Sequence, residues 1–288
     1  MARQVAPALL YGSLVAACAP APRVAAVAPP PPPPPASATR ETATRVAKIP
    51  LAPPIAVEVV KTRATSSQCP PEMVLVRGRT CVDRWEASLV VVDPDGGSRP
   101  WSPHVAPAGA SVRAASSAAG TPQAYIDGAS AARACRAAGK RLCTSNEWVT
   151  TCRGPDDTNY PYGAEHAAGF CNDDGRSRHP VADVTRRFGL DPARRWHENM
   201  QSPEINRLAD TVEPSGHHAR CTNDFGAFDM VGNLHEWVDD PDGTFRGGFY
   251  MDTRINGEGC LYATTAHGPD YRDYSTGFRC CQDPIARD

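Results

Sequence analysis

The 288-residue chain is 41% hydrophobic and 22% charged, ordinary for folded material, but it carries 29 Pro, 23 Gly and 11 Cys. Its net charge of −2 is spread over interspersed acidic and basic residues, with no basic stripe to neutralise phosphates, so nucleic acid is not expected as a partner. The length admits one large domain or two small ones.

The N-terminus reads as an export signal. Arg3 precedes an apolar stretch from Val5 to Leu14, followed by Val15-Ala16-Ala17-Cys18. A charged start, a short apolar region and small residues at a cleavage point make a signal peptide over residues 1–18, too short to span a bilayer permanently. Cys18 after small residues resembles a lipobox, in which the cysteine is acylated. A lipid-anchored location on the periplasmic or cell-surface side of a bacterial membrane is the corresponding expectation. Residues 19–68 then read as a Pro-rich tether without sustained periodicity. Within it Pro29 to Pro35 favours a polyproline II rod of roughly 20 Å.

From Cys69 to Asp288 the texture is that of a folded domain. Met73 to Val76 and Thr80 to Asp83 flank Arg77-Gly78-Arg79, a hairpin pattern. Leu89 to Val92 ends at the turn sequence Asp93-Pro94-Asp95-Gly96, and residues 94–124 read as a long loop. Ala129 to Ala138 predicts a helix with Gly139 beyond its end. Thr144-Ser145-Asn146-Glu147 is a capping box opening a second helix that runs to about Cys152. The rest reads as loop, with strand candidates at Phe245 to Tyr250 and Gly277 to Cys281. Two helices, few short strands and long connections describe an irregular α+β domain. Setting Cys18 aside leaves 11 − 1 = 10 cysteines, an even number without a repeated CxxC pattern, which points to disulfides in an oxidising compartment.

Several segments converge in order: Gly139-Lys140-Arg141-Leu142, Glu147-Trp148, Cys152-Arg153-Gly154, Tyr160-Pro161-Tyr162-Gly163, Phe225 through Trp237, Phe245-Arg246-Gly247-Gly248 and Gly277-Phe278-Arg279-Cys280. Over about residues 70–282 the chain resembles the formylglycine-generating enzyme (sulfatase-modifying factor) family. The resemblance implies a loop-rich C-type-lectin-like α+β fold with short antiparallel strands and multiple disulfides. It also implies the pairs Cys135–Cys280 and Cys152–Cys260. For the remaining cysteines Cys69–Cys81, Cys171–Cys221 and Cys143–Cys281 are the expected set, other pairings remaining open.

The enzyme of that family oxidises a cysteine in a Cys-x-Pro-x-Arg motif, using copper(I) held by two thiolates five positions apart. Copper(I) is soft and suits thiolates. Here the first thiolate position is Asp252 and the active-site serine position is Phe249. Cys260 lies eight residues past Asp252 and fits the structural disulfide better. Neither copper nor formylglycine-generating activity is therefore expected.

Other chemistry leaves few traces. None of the eight histidines stands in a recognisable His-x-Asp/Glu or His-x3-His pattern, and His217-His218 is an adjacent pair in a loop. His235-Glu236 does not extend to HExxH, and Asp93 and Asp240 do not start EF-hands, because His104 and Met251 stand where a glutamate is required. The family carries structural calcium in irregular loops, and the matching positions are Asn172, Gly232, Asn233 and Glu236. Trp148 and Trp237 read as core, while Trp101 and Trp196 lie in polar, loop-like segments beside arginines, where a ligand platform is the lesser alternative to an ordinary surface role. The leading expectation is a membrane-tethered recognition module for a protein, peptide or glycan, or a structural envelope module. The alternative is a divergent oxidoreductase of the formylglycine-generating or non-haem iron branch.

Overall fold

The computed structural model describes residues 68–93, 95–189 and 196–286. The signal peptide, Cys18 and the proline rod lie outside the described residues. β1 (Met73–Val76) and β2 (Thr80–Asp83) form the expected hairpin, turned by Arg77 and Gly78 at φ 47° and 69°. β3 (Ala87–Val92) is the centre of a second sheet, flanked by β4 (Ser98–Pro100) and β5 (Val112–Ser116). Both flanking strands fall within 94–124, which the sequence presented as loop. β5 reads Val-Arg-Ala-Ala-Ser, with little β-branching, so its state is set by its register against β3 rather than by propensity.

α1 (Gly128–Ala137) starts where the Asp127 carboxylate accepts the Ser130 N–H at 2.7 Å, and it buries Ala131, Ala134 and Cys135. β6 (Arg141–Leu142) leads into α2 (Ser145–Arg153), whose capping box is closed on both sides between Thr144 and Glu147. Glu147 also holds the Arg141 guanidinium through two 2.7 Å bonds, and its carboxyl falls to about 2 against the cost of its partial burial. Two further helices correct the expected count of two: α3 (Pro180–Phe188) and the single turn α4 (Trp196–Asn199). The signals of α3 are local: proline at its first position, left-handed Gly189 after its end, and Val181 and Val184 on its buried face.

The remaining strands are β7 (His235–Trp237), β8 (Phe245–Arg246), β9 (Ala263–Thr264), β10 (Thr276–Phe278) and β11 (Cys280–Gln282). The candidate strand from Phe245 to Tyr250 stops at β8, because Gly247 and Gly248 take φ 83° and 69° and turn the chain away. The candidate at Gly277 to Cys281 divides between two sheets, ordered β10-β7-β8-β9 and β1-β2-β11-β6. β10 pairs with β7 in parallel, an exception to the antiparallel expectation.

Five disulfides cross the domain: Cys69–Cys81, Cys135–Cys280, Cys143–Cys281, Cys152–Cys260 and Cys171–Cys221. Adjacent residues of a strand face opposite sides. Cys280 and Cys281 therefore bind β11 to α1 on one side and, on the other, to Cys143, which follows β6 and precedes α2. Trp148 and Trp237 are fully buried in two separate clusters, Trp148 among Cys143, Cys152 and Met230, Trp237 among Ile126, Phe245 and Phe278. Among the described residues no helix is long and apolar enough to cross a membrane.

Candidate functional site

The segment from Asp229 to Trp237 meets Arg279 in the domain interior. Arg279 is 0% exposed and donates from Nε and Nη2 to the two oxygens of Glu236, each at 2.6 Å. Its remaining bonds go to the carbonyls of Asp83, Arg84 and Phe228. Trp148 Nε1 donates to Glu236 Oε2 at 2.6 Å, which ties the core tryptophan of α2 to the same carboxylate. Two more buried acids share this interior. Glu86 is pushed well up by burial and by Asp229 and Glu236, and Asp229 is pushed up to about 6, chiefly by burial. One guanidinium thus faces three carboxyl groups, and raised pKa values relieve the excess negative charge.

Asn172, Gly232 and Asn233 do come together. The Asn172 carbonyl accepts the Asn233 N–H at 2.9 Å, and its amide donates to Asn233 Oδ1 at 3.0 Å. Gly232, at φ 80°, brings the chain so close that a Cβ would lie 2.4 Å from the Asn172 carbonyl oxygen. In this arrangement the side-chain oxygens of Asn233 and Glu236 are engaged by protein donors. Asn233 Oδ1 accepts from Asn172 and from the Glu213 N–H, and both Glu236 oxygens are held by Arg279. Calcium needs six to eight oxygens. Arg279 supplies the positive charge that Glu236 requires.

At the positions corresponding to the family's copper centre, Phe249 and Asp252 bond each other's backbone reciprocally at 2.9 Å. The Asp252 carboxylate caps its own turn, accepting the Arg254 and Ile255 N–H groups at 3.0 and 3.1 Å. Phe249 packs on His235 at 4.8 Å between ring centres. His235 is enclosed by Phe245, Phe249 and Tyr262, and burial pushes its imidazole down to about 3, so it stays neutral and is no general base at ordinary pH. Five residues past Asp252 stands Gly257, at φ 110°, where a Cβ would lie 2.7 Å from the Leu261 carbonyl oxygen. The backbone there is shaped around glycine, and Cys260 is bonded to Cys152. All ten cysteines from Cys69 to Cys281 are in disulfides.

A polar cleft of about 580 Å³ lies elsewhere, lined by His197, Glu198, Gln201, His267, Asp270, Tyr271 and Arg272 among others. Its aromatic wall is a stack, His267 lying 3.7 Å from Tyr271 between centres. Trp196, next in sequence to this lining, is 49% exposed, whereas Trp101 is half-buried and donates to the Val105 carbonyl at 2.7 Å. His217 and His218 do not converge on one point: their rings meet edge-on at 5.6 Å, and His218 bonds Glu213. A different histidine, His166, lies with Asp173 and Asp174, one ligand atom from each within 4.8 Å of the others. Six residues of loop separate His166 from Asp173, and no regular element gives that spacing a sequence signature.

A family model described as "Sulfatase-modifying factor enzyme 1-like domain" matches residues 92–284. Among solved structures, the Major Tropism Determinant U1 Variant is 13% identical with a TM-score of 0.43, over 77% of this chain and 55% of that one. PvdO from Pseudomonas aeruginosa is 14% identical with a TM-score of 0.42, over 71% of this chain and 80% of that one. CarF is 21% identical with a TM-score of 0.32, over 51% and 47%. The chain thus spans 55% of the length of the tropism determinants it matches. A comparison with curated proteins found no match.

Proposed function

We propose, for a chain that belongs to the sulfatase-modifying factor enzyme 1-like family, that it is an exported recognition module without formylglycine-generating activity, anchored to a bacterial membrane by a lipid on Cys18. The observation that carries the reading is the state of sulfur. Copper(I) needs a pair of thiolates. Here the first position holds a carboxylate engaged in its own turn, and the ten cysteines of the domain are paired. Phe249 adds an aromatic ring where the family has a serine, packed on a histidine that does not titrate near neutrality.

Five disulfides support passage into an oxidising compartment, since such bonds do not persist in a reducing one. The 580 Å³ cleft suits a small polar surface feature of a partner, a glycan or a peptide. Its charges of both signs and its His267–Tyr271 stack offer hydrogen bonds and an aromatic face together. Incubation of the oxidised domain with a Cys-x-Pro-x-Arg peptide, copper and oxygen is expected to leave the peptide unchanged. Alkylation without reduction, followed by intact mass, is expected to add nothing to the domain. Aldehyde in the peptide, or two alkylated cysteines in the native domain, overturns the reading. Glycan and peptide arrays probed with wild type and with Tyr271→Ala test the cleft, and equal binding by both excludes it.

A further inference from the structure

Asp173 follows the Cys171–Cys221 disulfide by two residues, and its side chain is 0% exposed. Its Oδ2 accepts the Thr253 hydroxyl at 3.0 Å and lies 3.1 Å from His166 Nε2. Its Oδ1 is buried and has no hydrogen-bond partner. A buried carboxylate oxygen left without a donor is costly. Asp174 closes the same space from the solvent side, at 49% exposure. Its Oδ2 accepts the Gly169 N–H at 2.7 Å, while Oδ1 stands 3.9 Å from His166 Nε2.

An ion pair between His166 and Asp173 accounts for one contact. It accounts neither for the third group nor for the bare oxygen. Ligand atoms about 2.1 Å from a metal lie roughly 3.0–3.4 Å apart when they are neighbours in its shell. The 3.1 Å separation lies within that range and the 3.9 Å separation exceeds it, so an inward movement of the half-exposed Asp174 by about half an ångström or more completes the set.

We propose that His166, Asp173 and Asp174 bind one divalent first-row transition cation, with zinc as the representative ion and water in the positions facing solvent. The donor set decides the class. One imidazole nitrogen with two carboxylates suits zinc, manganese or iron(II), whereas calcium takes oxygen alone and copper(I) takes sulfur. The site is separate from Asp252, which it approaches through the neighbouring Thr253. An ion there closes the loop after Tyr160 on itself, and the Thr253 hydroxyl bond to Asp173 joins that loop to the chain after Asp252.

The test uses the full chain with its disulfides intact, treated with chelator, dialysed, and titrated with zinc and then with cobalt(II). One equivalent of each is expected, cobalt giving visible absorption bands. Asp173→Asn and His166→Gln are each expected to weaken uptake at least about ten-fold, since even the loss of an outer-shell partner costs about that much. His217→Ala, at an exposed imidazole, is expected to leave it unchanged. No uptake by wild type overturns the proposal. So does wild-type affinity in both ligand variants, or an equal loss in His217→Ala. Metal-free circular dichroism establishes that each variant folds. Should Asp173→Asn not fold, Asp174→Asn at the exposed ligand decides the matter by the same criterion. Displacement of zinc by equimolar calcium overturns the assignment of ion class.

Discussion

Arg279→Met removes the fully buried guanidinium from an interior that holds Glu86, Asp229 and Glu236. The side chain of methionine fills part of the space, so the main loss is electrostatic. Five hydrogen bonds go with the guanidinium, two of them to Glu236. Glu236 is then left 1% exposed with the indole of Trp148 as its remaining side-chain partner. Breaking a buried ion pair from one side costs about 3–5 kcal/mol, a large part of the roughly 5–15 kcal/mol that holds a domain folded. With a urea slope of about 2.5 kcal/mol per molar, the midpoint should fall by about 1–2 M. The orphaned carboxylate escapes part of this penalty by taking a proton, so the gap from wild type should narrow between pH 7 and pH 5. Urea unfolding of both proteins at the two pH values, without reductant, measures each quantity. A midpoint shift under about 0.4 M, or a gap that is the same at both pH values, refutes the assignment of Arg279 as the internal counterion.

Three other outcomes are expected. His235 has its pKa lowered to about 3 in the folded domain from 6.5, so the unfolded chain binds a proton that the folded one refuses. Its contribution is therefore lost as pH falls through 6.5, at about 1.4 kcal/mol per pH unit. His235→Leu should abolish that slope, which thermal unfolding of the two proteins between pH 7 and 4.5 will read as a shrinking difference. Gly232→Ala drives a Cβ to 2.4 Å from the Asn172 carbonyl and should cost more than about 2 kcal/mol, whereas Gly139→Ala meets nothing within 4 Å and should cost about 1 kcal/mol; chemical denaturation compares them. Asp252→Cys restores one thiolate without a second, so it should add one alkylatable cysteine by mass and produce no aldehyde in the Cys-x-Pro-x-Arg peptide.

The motifs were legible where close packing leaves one residue type possible. Gly232 and Gly248 mark places where the chain runs within Cβ distance of Asn172 and Asp252, so the Val-Gly-Asn and Arg-Gly-Gly signatures follow from the fold itself. Glu236 and Arg279 belong to the same class, two buried charges that each require the other. The strands at 98–100 and 112–116 were not legible, because exposed or alanine-rich segments acquire extended structure only beside β3. α3 was missed although its proline start and Gly189 stop stand in the sequence, because His179 at its N-cap opens no capping box such as the one that marks α2. Calcium at Glu236 could not be weighed against Arg279 until both were seen at 2.6 Å, since 43 residues separate them. The grouping of His166 with Asp173 and Asp174 depends on a loop path that no periodicity encodes.

The strand at 280–282 brings Cys280 and Cys281 to partners 145 and 138 residues earlier. Until that strand arrives, β2 and β6 have no neighbour between them, and Cys135 and Cys143 have nothing to bond. Cys135 and Cys143 therefore reach their native partners only when Cys280 and Cys281 come into place. A chain lacking that strand would leave Cys135 and Cys143 without their partners and a bare sheet edge prone to pairing with other chains. The double cysteine thus makes closure of both disulfides depend on the placement of one strand.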